Sequence, residues 1–259
     1  MCFPRSLISP IIAPMNRPRF YCREALAPGA CIDLPDPVAR HAVRVLRLSV
    51  GALVVLFDGR AGEYEARIER IEKDRVVVAL GAWRDMERES GLRLTLIQAV
   101  QSGEKMDYTV QKAVELGVAR IVPVDSRRSV TRLSGERAAR RVAHWQGVAA
   151  AACEQCGRNQ VPQVAPLEKL ENWLARPASG ALRLILAPDA EQSLGDLQPV
   201  KNAELLIGAE GGLEPQEIVA ARQVGFQVVR MGPRILRTET AGIAALAAMQ
   251  ALWGDFRGG

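Results

Sequence analysis

Histidine is scarce: the 259 residues include two, His41 and His144. A zinc site needs Cys and His ligands in close groups. The one close cysteine pair, Cys153-x-x-Cys156, has no second pair to complete it, so the sequence offers no metal site and little support for a CxxC oxidoreductase. Cysteine is sparse as well, five in all. An odd number with no secretory leader ahead of it points to free thiols in a reducing compartment, hence to the cytoplasm. Long apolar runs are also missing. The stretch Leu7 to Ala13 is short, broken by Pro10 and followed by Pro14 instead of a small-residue cleavage site, so neither secretion nor membrane insertion is expected.

What is present is a chain rich enough in apolar residues, 48%, to bury a real core as one large domain or as a small domain beside a medium one. A net charge of +5 and a pI near 9.2 favour a polyanionic partner. Residues 1–16 hold three prolines and no periodicity. They are expected to be a disordered extension, ending about residue 18, or the product of a start codon upstream of Met15.

From Arg19 to about Ala82 the pattern is one of short strands at Arg19–Cys22, Leu53–Phe57, Glu63–Ile71 and Arg75–Leu80, with 58–62 as a hairpin turn. One helix interrupts them, opened by Asp36-Pro37 and running to about Leu48. Val38, Ala42 and Val45 share one of its faces, while Arg40, Arg44 and Arg47 recur on another. This predicts a small β-barrel-like domain, 19–85, with an arginine-faced helix. The charged segment 84–91 has no apolar period and marks a boundary. Beyond it, strands at Leu92–Val100, Arg120–Val124, Leu182–Ala187, Leu205–Gly208 and Phe226–Met231 alternate with helices at Met106–Leu116, Gly135–Cys153, Pro215–Val224 and Thr240–Trp253. That alternation predicts a parallel α/β domain, 90–259, with its chemistry in the loops at the carboxyl ends of the strands.

Three such loops stand out: 187–190, the glycine-rich 208–212, and 232–240. Glycines in the second let backbone approach a ligand closely, although a plain strand-to-helix turn would use them too. The loop matches neither the dinucleotide fingerprint nor the P-loop. In the third, Thr238 or Thr240 is a candidate N-cap for an alanine-rich helix. A basic run, Arg127, Arg128, Arg132, Arg137, Arg140 and Arg141, is either a solvated helix face or, taken with the arginines of the first helix, a phosphate-contacting surface.

Seven motifs in order carry a resemblance: Arg19-Phe20-Tyr21; 41–47, His-Ala-Val-Arg-Val-Leu-Arg; Gly103-Glu104-Lys105-Met106 with 111–117; Ser126-Arg127-Arg128-Ser129; 154–158, Glu-Gln-Cys-Gly-Arg; 207–212, Ile-Gly-Ala-Glu-Gly-Gly; and 234–241, Arg-Ile-Leu-Arg-Thr-Glu-Thr-Ala. Over nearly everything after residue 18 the chain resembles the RsmE-type methyltransferases of the SPOUT superfamily, which methylate N3 of a uridine in small-subunit (16S) ribosomal RNA. The resemblance implies an α/β fold with a trefoil-knotted parallel-sheet domain, preceded by a PUA-like β-barrel that binds RNA, and a homodimer. It implies S-adenosylmethionine held by Leu186, Ala187, Gly208, Glu210, Gly211, Met231, Gly232, Ile235, Leu236 and Thr238. Two departures are visible, Ala209 where the family usually has proline and Leu213 where phenylalanine is common; the first is expected to loosen the glycine loop slightly.

Uracil N3 is mostly protonated at neutral pH, so methylation there needs proton removal and stabilisation of the charge that spreads to the uracil oxygens. Arg237 is the first candidate for that stabilisation and Arg128 the second. Glu154 and Glu239 are candidate proton acceptors, each equally readable as a helix-end carboxylate, with water as an alternative. The RNA-contacting candidates are Arg19, Arg40, Arg44, Arg47, Arg127 and Arg132, and the expected partner is ribosomal RNA or the small ribosomal subunit. The rival readings are another SPOUT specificity and a non-catalytic RNA-binding assembly factor. The second would not need loops 208–212 and 234–241 together.

Overall fold

The computed structural model describes residues 17–257 except 74 and 178, so the expected extension at 1–16 lies outside the described residues. Arg17 and Pro18, placed with that extension on sequence grounds, are instead tied in. Arg17 forms an ion pair with Glu65, and the Pro18 carbonyl accepts from Val55 N–H at 2.9 Å. The chain separates into two compact units, one ending at Met86 and one beginning at Glu87.

The first unit is a five-stranded sheet in the order β1-β3-β4-β5-β2: β1 (Arg19–Tyr21), β2 (Cys31–Asp33), β3 (Leu53–Phe57), β4 (Glu63–Glu72) and β5 (Arg75–Arg84). β1 and β3 run parallel and the other pairs are antiparallel. Alternation places Ala66, Ile68, Val76, Val78 and Leu80 in one core with Phe20, Val54 and Leu56. β2 escapes sequence reading because three residues carry no period; pairing with Val77–Ala79 is what makes it a strand. The helix is shorter than its pattern suggested. α1 (Asp36–Arg40) widens into a π-helical turn over His41–Val45, and Arg47 takes a left-handed backbone, φ 54°. The amide of Leu48 then returns to the Ala42 carbonyl at 2.9 Å and ends the helix about three residues early, turning Leu48 toward the core.

The second unit is built on seven strands: β6 (Arg93–Ala99), β7 (Val118–Asp125), β8 (Gln163–Val164), β9 (Glu168–Lys169), β10 (Leu182–Leu186), β11 (Asn202–Ile207) and β12 (Phe226–Val229). The order is β12-β10-β11-β6-β7-β8, with β9 also on β7, and every pair is parallel. Strands covered on both faces read as nearly unbroken apolar runs, as β6, β7, β10 and β11 do. The helices are α2 (Lys105–Glu115), α3 (Gly135–Cys156), α4 (Leu170–Leu174), α5 (Pro215–Gln223) and α6 (Thr238–Trp253). α3 runs three residues past its expected end. Its stop is Gly157, left-handed at φ 89°, whose amide donates to Cys153 O at 3.0 Å. The Cys-x-x-Cys pair therefore sits in the last turn of a helix; Cys153 is buried with its thiol donating to Gln160 O.

A buried ion pair ties β10 to β11. Arg183 donates through Nε to Glu204 at 2.8 Å and through its terminal nitrogen to Val224 O at 3.0 Å, and its guanidinium lies over the rings of Trp173 and Phe226. Removing one member of such a pair leaves the other charge buried without its counterion. Glu204→Ala is expected to destabilise the protein by about 3–5 kcal/mol, read from the denaturant midpoint. Glu136→Ala, which removes the exposed partner of Arg140, is expected to cost under about 1 kcal/mol.

Candidate active site

Because β12, β10 and β11 are adjacent and parallel, the loops that follow them leave the sheet along one edge. They border an open recess of ≈ 350 Å³ and a smaller one of ≈ 90 Å³ that share Leu186, Pro188, Ile235, Leu236 and Ala241. The ten residues expected to hold a cofactor are gathered here. Gly208, Glu210, Gly211 and Thr238 line the larger recess; Ala187, Met231 and Gly232 line the smaller; Leu186, Ile235 and Leu236 line both. Ile235 stands 86% exposed, an apolar side chain without cover.

The glycine loop turns back on itself. The Gly212 amide donates to Ala209 O at 2.8 Å with Gly212 at φ 72°, a left-handed conformation suited to glycine. A Cβ on Gly208 would lie 2.7 Å from the Gly212 carbonyl carbon, so the close return requires glycine there. Ala209, the departure from the family's proline, is buried and supplies the carbonyl that closes the turn.

Thr238 does not act as an N-cap. It is the first residue of α6, and its hydroxyl donates to Gly208 O at 2.5 Å. The amide of Glu239, an orphan of the first helical turn, is met by the buried Gln101, whose side-chain oxygen accepts it at 3.2 Å while its nitrogen donates to Thr109 Oγ1 at 2.8 Å.

Gln101 belongs to a contribution that sequence reasoning missed: the segment after β6, which lies beside β11. Within it, Ser102 donates to Glu210 Oε1 through its amide at 2.9 Å and its hydroxyl at 2.7 Å, and Lys105 Nζ stands 3.6 Å from Glu210 and 3.9 Å from Glu239. The sequence signal was available, since 103–106 is one of the resembling motifs at the same sheet edge, but nothing in it assigned a role.

The arginines differ in their surroundings. Arg128 reaches the glycine loop, donating to Gly211 O at 2.9 Å, and Arg237 lines the larger recess at the start of α6. Arg127 and Arg132, expected to contact RNA, lie at the surface with side chains 47% and 57% exposed and engage neighbouring groups there. Arg127 binds Gln216, Glu171 and Glu214, and Arg132 binds Asp125 and the carbonyls of Ser126 and Arg127. Arg19, by contrast, is drawn inward: its side chain is 10% exposed, ion-paired with Glu63 and stacked on Phe57. Each has carboxylates or a ring within reach that local sequence does not reveal. Arg40, Arg44 and Arg47 remain exposed, beside the exposed Val45 and Leu46. Neither candidate proton acceptor lines a recess: Glu239 stands in the first turn of α6 beside Lys105 and Gln101, and Glu154 lies on α3. It sits in the last turn of α3, where its neighbours Gly157 and Arg158 bond to Arg88 and Glu89. Among the described residues no group of three or more His, Cys, Asp or Glu could hold a metal ion.

Residues 88–250 match the RNA methyltransferase domain family, and residues 34–80 match the RNA methyltransferase PUA domain. The chain belongs to the RNA methyltransferase domain family. Within that family it is similar to the ribosomal RNA small subunit methyltransferase E of Buchnera aphidicola subsp. Schizaphis graminum, 31% identical over 92% of this chain and 97% of that one. The corresponding protein of Bacillus subtilis is 28% identical over 81% and 85%. Among solved structures, ribosomal RNA small subunit methyltransferase E from Neisseria gonorrhoeae bound to S-adenosyl methionine is 46% identical, covering 93% of this chain and 99% of that one with a TM-score of 0.89.

The electrostatics of this methyltransferase site are open to a pH test. Partial burial raises the Glu210 pKa, but the Ser102 amide and hydroxyl, the residue's own amide and Lys105 outweigh that and hold it below its ordinary 4.5. A carboxylate depressed on folding adds stability above its unfolded pKa and loses it as pH falls through the folded one. Glu210→Gln should therefore be less stable than wild type at pH 7, with the difference shrinking as pH drops below about 4.5. A gap in thermal midpoint that stayed constant from pH 7 to pH 3 would contradict this account.

Proposed function

We propose that this protein transfers the methyl group of S-adenosylmethionine to N3 of a uridine in small-subunit (16S) ribosomal RNA. The observation that carries the reading is the convergence, at one sheet edge, of a glycine loop, an apolar recess and two arginines, in a chain similar over most of its length to a structure bound to S-adenosyl methionine. The residues present suit the cofactor. Gly208 and Gly212 allow backbone to approach closely, and Leu186, Ile235 and Leu236 offer flat apolar cover for an adenine ring. When bound, the cofactor supplies a methyl carbon activated by a positively charged sulfur.

The chain's own groups do the rest. The base must leave its stack to present N3 at the recess. Arg237, with Arg128 on the rim, stabilises negative charge on the uracil oxygens as the N3 proton leaves. Glu239 or a water molecule accepts that proton. In this reading the domain spanning 19–85 supplies RNA affinity through the exposed Arg40, Arg44 and Arg47, and the domain spanning 90–259, with its knotted loops, supplies the chemistry. We place the protein in the cytoplasm, as a homodimer whose partner is ribosomal RNA or the small subunit. No described helix is long and apolar enough to cross a membrane.

Calorimetry with chelator present should show S-adenosylmethionine binding, and labelled methyl should appear on a uridine in 16S RNA from cells lacking the protein. The same preparation should sediment as a dimer. No binding of the cofactor or its demethylated product would end the methyltransferase reading.

The two arginine groups should separate by assay. Arg40→Ala with Arg44→Ala should weaken RNA binding and flatten its salt dependence, because phosphate contacts release counterions. Arg237→Ala should leave RNA binding largely intact and slow single-turnover transfer by roughly a hundredfold or more. Normal transfer by the Arg237 variant, once saturated with RNA and cofactor, would remove that residue from catalysis.

A further inference from the structure

Glu217 is a carboxylate 4% exposed in the first turn of α5. A buried carboxylate is costly unless its oxygens are met by donors. One of them has an ordinary explanation: Oε2 accepts the Glu214 amide at 2.8 Å, half of a capping box. The other does not. Oε1 accepts the Arg127 amide at 2.9 Å, from a loop 90 residues away in sequence. Helix capping alone gives no reason for that second bond.

The loop it holds carries Arg128. Arg127 and Arg128 diverge from this anchor. The Arg127 side chain follows Glu217 to the start of α5, reaching Gln216 at 2.5 Å and Glu214 at 3.5 Å. The Arg128 side chain crosses to Gly211 O at 2.9 Å and packs so closely that a Cβ on Gly211 would lie 3.3 Å from Arg128 Cβ. Arg132 closes the loop from behind, donating to the carbonyls of Arg127 at 2.7 Å and Ser126 at 3.0 Å. Segment 208–214 is thus gripped at Gly211 by Arg128 and at Glu214 by Glu217, and the two grips are joined through the Arg127–Arg128 peptide.

We propose that Glu217 is a positioning residue for methyl transfer: by holding the amides of Arg127 and Glu214 together, it fixes Arg128 against the glycine loop at the rim where the RNA base enters. This rests on the methyltransferase reading above. An arginine on an untethered loop must give up rotamer and backbone freedom whenever it meets charge. A backbone anchored beforehand removes part of that cost.

The test is a double-mutant cycle on the full-length protein with Glu217→Gln, Arg128→Ala and both. Glutamine keeps the shape but turns an NH2 group toward one of the two amides. Glu217→Gln should slow single-turnover transfer by about tenfold, with cofactor affinity changing less than the rate. In the Arg128→Ala background the same substitution should change the rate by under about twofold, since the group it positions is gone. Hydrogen exchange in cofactor-free protein should quicken over 125–132 and 208–214. Equal slowing in both backgrounds, or unchanged exchange over 125–132, overturns the proposal. Glu217→Asp, which keeps the charge on a shorter arm, takes the place of the glutamine variant if that one does not fold. A wild-type protein inactive on ribosomal RNA would overturn the methyltransferase reading, and the exchange measurement would still decide the clamp.

Discussion

The hydrogen bond from Thr238 to the Gly208 carbonyl, 2.5 Å long, sets the shape of everything around it. It joins the end of β11 to the start of α6, two points 30 residues apart, and it engages the hydroxyl of the first helical residue, after an N-cap Arg237 that makes no side-chain cap bond. Two features go with that bond. The glycine loop is held from the α6 side, so its return at Gly212 needs no bulky packing beneath it. The helix start, without a side-chain cap of its own, takes a substitute from Gln101, and this draws the end of β6 into the site. A single hydroxyl thus couples three strand ends.

Charge is distributed by the same economy of contacts. The chain is basic by five charges, yet several of its arginines act as internal struts: Arg183 on Glu204, Arg158 on Glu89 and Arg19 on Glu63. Guanidinium suits this work because its fork meets carboxylates and carbonyls at once. Arg40, Arg44 and Arg47, by contrast, are exposed around the π-helical turn.

The parallel strands, α2, α5 and the strand-end loops could be read from sequence because their signals are local: unbroken apolar runs, a proline at a helix start, glycines after a strand. What could not be read depends on partners far along the chain. β2 is a strand only because β5 lies beside it, and α1 yields to a π-helical turn only because Leu48 is drawn toward the core. The same holds within the site. Its cofactor-side residues follow from motif and strand order, but Ser102 on Glu210, and Arg127 paired with Glu171, depend on geometry that no spacing rule contains. Glu154 is the clearest case, a motif residue placed by α3 where it lines neither recess.

The strand order has a bearing on how the molecule comes into being. β6 lies between β7, its neighbour in sequence, and β11, whose residues begin at Asn202. Until β11 has been synthesised, one edge of β6 has no partner, and the loops at 208–212 and 230–238 do not yet exist. Parallel pairing over such separations forms slowly, since a long loop must close before any contact rewards it. The first unit, contiguous and ending at Met86, has no such wait. On the ribosome, then, the basic surface can be in place while more than half of the chain is still being made, and the recess at the sheet edge is among the last parts of the protein to take shape.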